Sequence, residues 1–374
     1  MASPPLFIGG AAITCWDMDA ATGKITPNGE PVEQDGAGSF LWPSADGSVL
    51  YAVAGPGAAA FKIEASGGLT HINTVEMDLE GNSHISTNGD VVIGAAYGGA
   101  DGATSGVNVA KIEAGGGLGA VSSNPHSGGS GVHQGAERCQ DGSHCHSGYV
   151  DPAGDFVLVS DLGQDKIYSY AIDGASGSLS EHSTLATAPG AGPRHMVFHP
   201  SGDWVYGINE LDCTVSAYPY AAGTLGEPQG TITTLPAGYN NQDHANAKNA
   251  EGNPASGPNR PDDQTNACAD IHVTPDGKFL YGSNRGHDSI VCYEIGGGGG
   301  ELTFVGFTPT YGEHPRNFGI HPNGKWMLVA NQDSANVVVF AIDGETGALT
   351  PTGDVLEVEK PRCVKWATAG GAKM

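Results

Sequence analysis

Basic residues are scarce in this chain. Its 374 residues carry 16 Lys+Arg against 41 Asp+Glu, for a net charge of −25, with lysine contributing 10 of the cations. Such a surface repels phosphate backbones and anionic lipid, so nucleic-acid and membrane-surface roles are not expected. High acidity with little lysine fits a protein that stays dispersed in strong salt, and fits ordinary colloidal repulsion equally well. Long apolar runs are also missing: no window approaches the ~18 residues a membrane helix needs. The first residues, 1–12, lack a basic stretch and make a poor signal peptide. The cysteines number seven, an odd count spread thinly along the chain, which suits a reducing cytoplasm better than a disulfide framework. No long amphipathic helical period is found. There is no G-x-S-x-G elbow, no P-loop and no G-x-G-x-x-G opening a helix.

Glycine is abundant, 59 residues, and it punctuates a repeat. An apolar strand, a Pro/Asp/Gly turn and a second strand recur as FLWPSADGSVLYAVAG (40–55), HISTNGDVVIGAAYG (84–98) and YVDPAGDFVLVSD (149–161). The phrase returns as MVFHPSGDWVYGINE (196–210), IHVTPDGKFLYGSNR (271–285) and FGIHPNGKWMLVANQ (318–332). The turn glycines 47, 89, 154, 202, 277 and 324 imply a period near 45, the length of a propeller blade. Segments such as KIYSYAIDGASGSLSE (166–181) supply a further pair of strands with period-two alternation. The N-terminal copy lacks its first strand, and PRCVKWA (361–367) at the other end matches the missing piece. The expectation is therefore all-β: one seven-bladed β-propeller domain over 1–374, its C-terminal strand closing the N-terminal blade. An open β-solenoid is the structural alternative. Two stretches that break the period, 98–145 and 235–268, are expected to be loop insertions.

The six arginines are 138, 194, 260, 285, 316 and 362. Arg194, Arg316 and Arg362 each follow a proline just before a repeat strand, and Arg285 ends one. Repeat-equivalent residues ring the tunnel mouth of a propeller, so these guanidiniums form a positive spot suited to a small anionic substrate. Blade-linking salt bridges are the bland account of the same residues. Glu210 holds the phrase position of Arg285 and is expected to pair with an arginine across the mouth or to move a proton. His146, in register with Arg194 and Arg316, would have its pKa lowered by them, giving a neutral base. His195 and Asn317, beside Arg194 and Arg316, are expected with Arg316 at the substrate; His199 and His321 occupy turn slots. The run HQGAERCQDGSHCH (133–146) holds His133, Cys139, His144, Cys145 and His146, but not in a standard zinc spacing, so no metal is expected.

The phrases GAGPRHMVFHP (190–200), VYGINEL (205–211), ADIHVTPDGKFLYGSNR (269–285) and HPRNFGIHPNGK (314–325) resemble the propeller lactonase family. That family contains bacterial 6-phosphogluconolactonases and fungal carboxy-cis,cis-muconate lactonizing enzymes. The resemblance implies a seven-bladed propeller and a site of His146, Arg194, Glu210 and Arg285, with Arg316 in the phosphogluconolactonase manner. It implies metal-independent lactone hydrolysis, first of 6-phospho-D-glucono-1,5-lactone, with no cofactor. Muconate-type cyclisation is the near alternative, and a non-catalytic binding platform is the alternative from another class.

Overall fold

The computed structural model describes residues 3–33, 38–98, 103–133, 140–237, 239 and 266–368. Seven antiparallel sheets follow one another around a central axis, each built from consecutive strands. Blade 1 is the exception. Cys363–Trp366 pairs with Leu6–Gly9 as its innermost strand, with register Leu6↔Trp366 to Gly9↔Cys363. Blades 2, 3 and 4 begin with inner strands Leu41–Pro43, Asn82–Thr87 and Cys145–Val150. Blades 5, 6 and 7 begin with Pro193–Phe198, Ala267–Val273 and Pro315–Ile320.

Burial explains the strand composition. Second strands such as Val91–Ala96 are covered on both faces by neighbouring blades, so apolar and small residues run through them without alternation. Outer strands such as Leu69–Glu76 alternate between exposed and half-buried positions. The core is a ring of inter-blade layers. One packs Leu328 and Val339 of blade 7 against Leu6 and Ile8 of blade 1; another packs Tyr206 and Val215 of blade 5 against Leu280 and Val291 of blade 6.

All six turn glycines read from the repeat adopt left-handed φ, between +70° and +100°. A further seam was not read from the sequence. The outer hairpin of one blade lies over the first residue of the second strand in the preceding blade. Gly23 covers Trp326, Gly223 covers Phe156 and Gly347 covers Phe279. At Gly347, φ is +72° and an added Cβ would lie 2.5 Å from the Phe279 ring. Gly347→Ala is therefore expected to cost about 2–4 kcal/mol, combining backbone strain with overpacking. Gly202 has φ +81° with nothing within 4 Å of a Cβ, so Gly202→Ala should cost about 1 kcal/mol. Urea midpoints compare the two; equal losses would remove the steric part of the account.

One sequence reading needs correction. The stretch 98–145 contains two blade-3 strands, Gly106–Ile112 and Leu118–Pro125. The connection to blade 4 begins only after Pro125. Glycines at the AGGG hairpin and small residues along both strands blurred their alternation. Most of 235–268 lies outside the described residues, although Ala267 and Cys268 already belong to the inner strand of blade 6.

Candidate active site at the tunnel mouth

Inner strands share an irregularity at the mouth. Cys145 pairs with Asp161 and Ser147 with Ser160, leaving His146 as an extra residue. Likewise Pro193 and His195 pair with Asn209 and Ile208 around Arg194, and Pro315 and Asn317 pair with Asn331 and Ala330 around Arg316. Asn82 and His84 bracket Ser83 in the same way. A β-bulge bends the strand and re-aims one side chain, so blades 3, 4, 5 and 7 each aim one residue at the axis. A second ring comes from the residue at, or just after, the end of the second strand. Tyr97, Glu210 and Arg285 stand at this level on blades 3, 5 and 6.

Both rings line a cavity of about 540 Å³. His146, Arg194, Glu210, Arg285, Arg316 and Arg362 all contribute to its wall. Glu210 is the pivot. Its Oε2 accepts from Arg194 Nε at 2.7 Å and lies 3.0 Å from Arg285 Nη2. The guanidiniums are anchored again on backbone carbonyls: Arg194 on Ala269, Arg285 on Ala267 at 3.1 Å and on Cys268 at 2.8 Å. Arg194 and Arg285 are 1 % and 2 % exposed, so neither swings freely. Arg316 and Arg362 are half-buried at the opening.

His146 is buried, and Ser83 Oγ donates to its carbonyl at 2.8 Å. Its ring meets Tyr97 edge-on at 5.6 Å and His195 at 5.2 Å. Burial first, then the Arg194 charge and His195, push its pKa well below the ordinary imidazole value, while Glu210 opposes them. The ring is a neutral base at pH 7.

His195 and Asn317 were expected at the substrate, but neither lines the cavity. His195 Nδ1 donates to Asp270 Oδ1 at 2.8 Å, and Arg194 Nη1 lies 3.3 Å from its Nε2. Asn317 Nδ2 donates to Asp270 Oδ2, and its Oδ1 accepts from Val364 N at 2.7 Å. The reason is strand alternation: the residue after each bulge turns away from the mouth. Burial and Arg194 bring the His195 pKa down to about 3. Burial opposes charge on Asp270, yet His272 and His195 hold its carboxyl well below the usual range.

Sequence reasoning missed Ser83, Tyr97 and Asp270. Ser83 precedes a turn two residues shorter than those after Arg194 and Arg316, which hid its equivalence. For the 133–146 run, Cys139 lies outside the described residues and His144 stacks on Tyr97 at 4.5 Å. The possible metal-ligand group among the described residues shares only Cys145 with that run: His126, Cys145 and Asp161, with donor atoms within 4.8 Å of one another. Burial and Asp161 push the Cys145 thiol well up, which keeps it protonated. His126 Nδ1 sits 3.0 Å from Asp161 Oδ2.

A family model described as a seven-bladed β-propeller lactonase matches residues 8–366. The chain belongs to that family. Among lactonase relatives, the 6-phosphogluconolactonase of Bacillus subtilis (strain 168) is 33 % identical over 267 residues, covering 70 % of this chain and 66 % of the relative. The 6-phosphogluconolactonase of Formosa agariphila is 40 % identical over 197 residues, 51 % of this chain and 48 % of the relative. The chain thus spans between about half and two thirds of these curated relatives' lengths. Among solved structures, one from Bacteroides fragilis NCTC 9343 superposes with TM-score 0.82 at 30 % identity, covering 98 % of both chains. The periplasmic gluconolactonase of Pseudomonas aeruginosa gives 0.83 at 25 % identity, covering 98 % of this chain and 99 % of its own. The open-solenoid alternative falls with the closed register of blade 1.

Proposed function

We propose that this lactonase-family chain hydrolyses a small anionic sugar lactone, 6-phospho-D-glucono-1,5-lactone first. The observation that carries the reading is a neutral, bulge-aimed His146 facing a cavity walled by four arginines. Arg316 and Arg362, at the opening, hold the phosphate. Arg194 and Arg285, fixed by Glu210, stabilise the oxygen of the lactone carbonyl as it gains charge. Water adds to that carbon while His146 takes its proton. The ring C–O bond then breaks, and His146 returns the proton to the leaving alkoxide. Water is consumed and a hydroxy acid is formed. The names of the relatives and the arginine wall support this assignment. Glu210 acts as a positioning residue for both deep arginines.

No step runs through a metal, so chelator-treated protein is expected to keep its rate. The cysteines at 15, 145, 213, 268, 292 and 363 are buried thiols. Among the described residues, no helix is long and apolar enough to cross a membrane.

The test follows proton release from 6-phosphogluconolactone and gluconolactone, and proton uptake with a carboxymuconate, with His146→Ala and Arg316→Ala alongside. Hydrolysis of the phosphorylated lactone is expected, with kcat falling at least about 100-fold in His146→Ala. Loss of a charge-assisted phosphate contact in Arg316→Ala should raise KM about tenfold or more with kcat nearly kept. Lactone hydrolysis no faster than in buffer would overturn the proposal. Lactone formation from the muconate would transfer the same residues to cyclisation.

A further inference from the structure

We propose that the propeller axis, below the cavity, holds a small monovalent anion between Lys365 and His84. Lys365 lies midway along the innermost strand of blade 1 and is 3 % exposed. Its Nζ sits 5.3 Å above the Phe40 ring and 4.8 Å above the Trp42 ring. Among the described residues it forms no ion pair. The salt bridges on the axis join other groups: Arg194 and Arg285 to Glu210, and His195 and His272 to Asp270. Lysines are almost never buried without a counter-charge, because the desolvated ammonium is costly.

Asp270 is the carboxylate that could have served, and its oxygens are already taken. It accepts from His195, from His272 at 3.0 Å, from Asn317 and from the backbone N–H of Phe318 at 3.2 Å. Two aromatic faces offset part of the lysine's charge but supply no negative ion.

His84 provides a second donor. It is 0 % exposed. Its Nδ1 accepts from Gly148 N at 3.4 Å, which leaves the proton of a neutral ring on Nε2. Nε2 is buried with no hydrogen-bond partner. Burial, with His195 and Lys365, keeps this ring uncharged. The His84 ring centroid lies 4.2 Å from that of Phe40 and 5.7 Å from that of Trp42, the same two rings that Lys365 covers. An ammonium and an N–H donor therefore stand against the same two aromatic rings in one desolvated axial site. That chemistry selects a weakly hydrated monovalent anion, of the halide class, over a strongly hydrated dianion. Neither Lys365 nor His84 lines the mouth cavity, so this site is separate from the proposed lactone site and stands or falls without it.

The experiment is thermal unfolding of the full chain in sodium bromide and in sodium methanesulfonate at equal ionic strength. Bromide is expected to raise Tm by roughly 2–4 °C in a saturable way. Lys365→Met should lose this increment and, in methanesulfonate, match or exceed the parent. Equal Tm values in the two salts overturn the proposal, as does an increment that survives Lys365→Met. Should Lys365→Met not fold, His84→Phe removes the N–H while leaving the ammonium. It should then need about tenfold more bromide for half-saturation, and an unchanged titration overturns the site. Bromide-soaked crystals should show an anomalous peak beside Lys365 Nζ; a bare axis refutes the assignment.

Discussion

Lowering the pH from 7 to 5 is expected to bring the propeller close to unfolding. His84, His146 and His195 are buried on the inner strands, and all three have folded pKa values depressed below the ordinary 6.5. A depressed imidazole binds fewer protons folded than unfolded, so stability is lost as pH falls below 6.5. At pH 5 each ring that stays uncharged in the fold contributes a loss of up to about 2 kcal/mol. Typical total stabilities are about 5–15 kcal/mol. Asp270, held well below its usual pKa, adds a further loss only once the medium is acid enough to protonate ordinary carboxylates. Urea midpoints at pH 7, 6 and 5 should fall progressively, and His84→Phe should fall less steeply than the parent. A midpoint that stays level from pH 7 to 5 would show that the folded chain admits these protons.

Removing Glu210 should be the most damaging single change at the mouth. Its carboxylate is shared by two buried guanidiniums at 2.7 Å and 3.0 Å. Glu210→Ala takes this carboxylate from both, and breaking such a buried pair costs about 3–5 kcal/mol. Activity should fall about 100-fold or more, since the donors for the developing oxyanion lose their fixed direction. Glu210→Gln keeps one acceptor and should fold better while remaining slow. The double variant Glu210→Ala/Arg194→Ala should be less destabilised than the sum of the two single variants, because one orphan charge is then gone. Strict additivity would show that Glu210 does not hold Arg194 energetically.

Much of this architecture was legible in the residues. The turn glycines set the blade count, and PRCVKWA disclosed the split blade because its match to PRHMVFHP survives in the letters. Glu210 and Arg285 stand at one phrase position on adjacent blades, so their pairing followed from the repeat alone. The bulges were not legible. A bulge is one residue more on one strand than on its partner, and pairing is invisible until the strands are laid side by side. For that reason His195 and Asn317 were placed at the substrate, although alternation turns both towards Asp270. A lone lysine in a β-strand has no distinguishing pattern in the letters; the burial of Lys365 is a property of the closed ring.

Closure of blade 1 has a consequence for the growing polypeptide. Leu6–Gly9 leaves the ribosome long before its partner Cys363–Trp366. At roughly 5–20 residues per second the early strand waits on the order of 20–70 s for its mate. Until then the nascent propeller is an arc with one unzipped flank, and the axial lysine arrives on the strand that locks it.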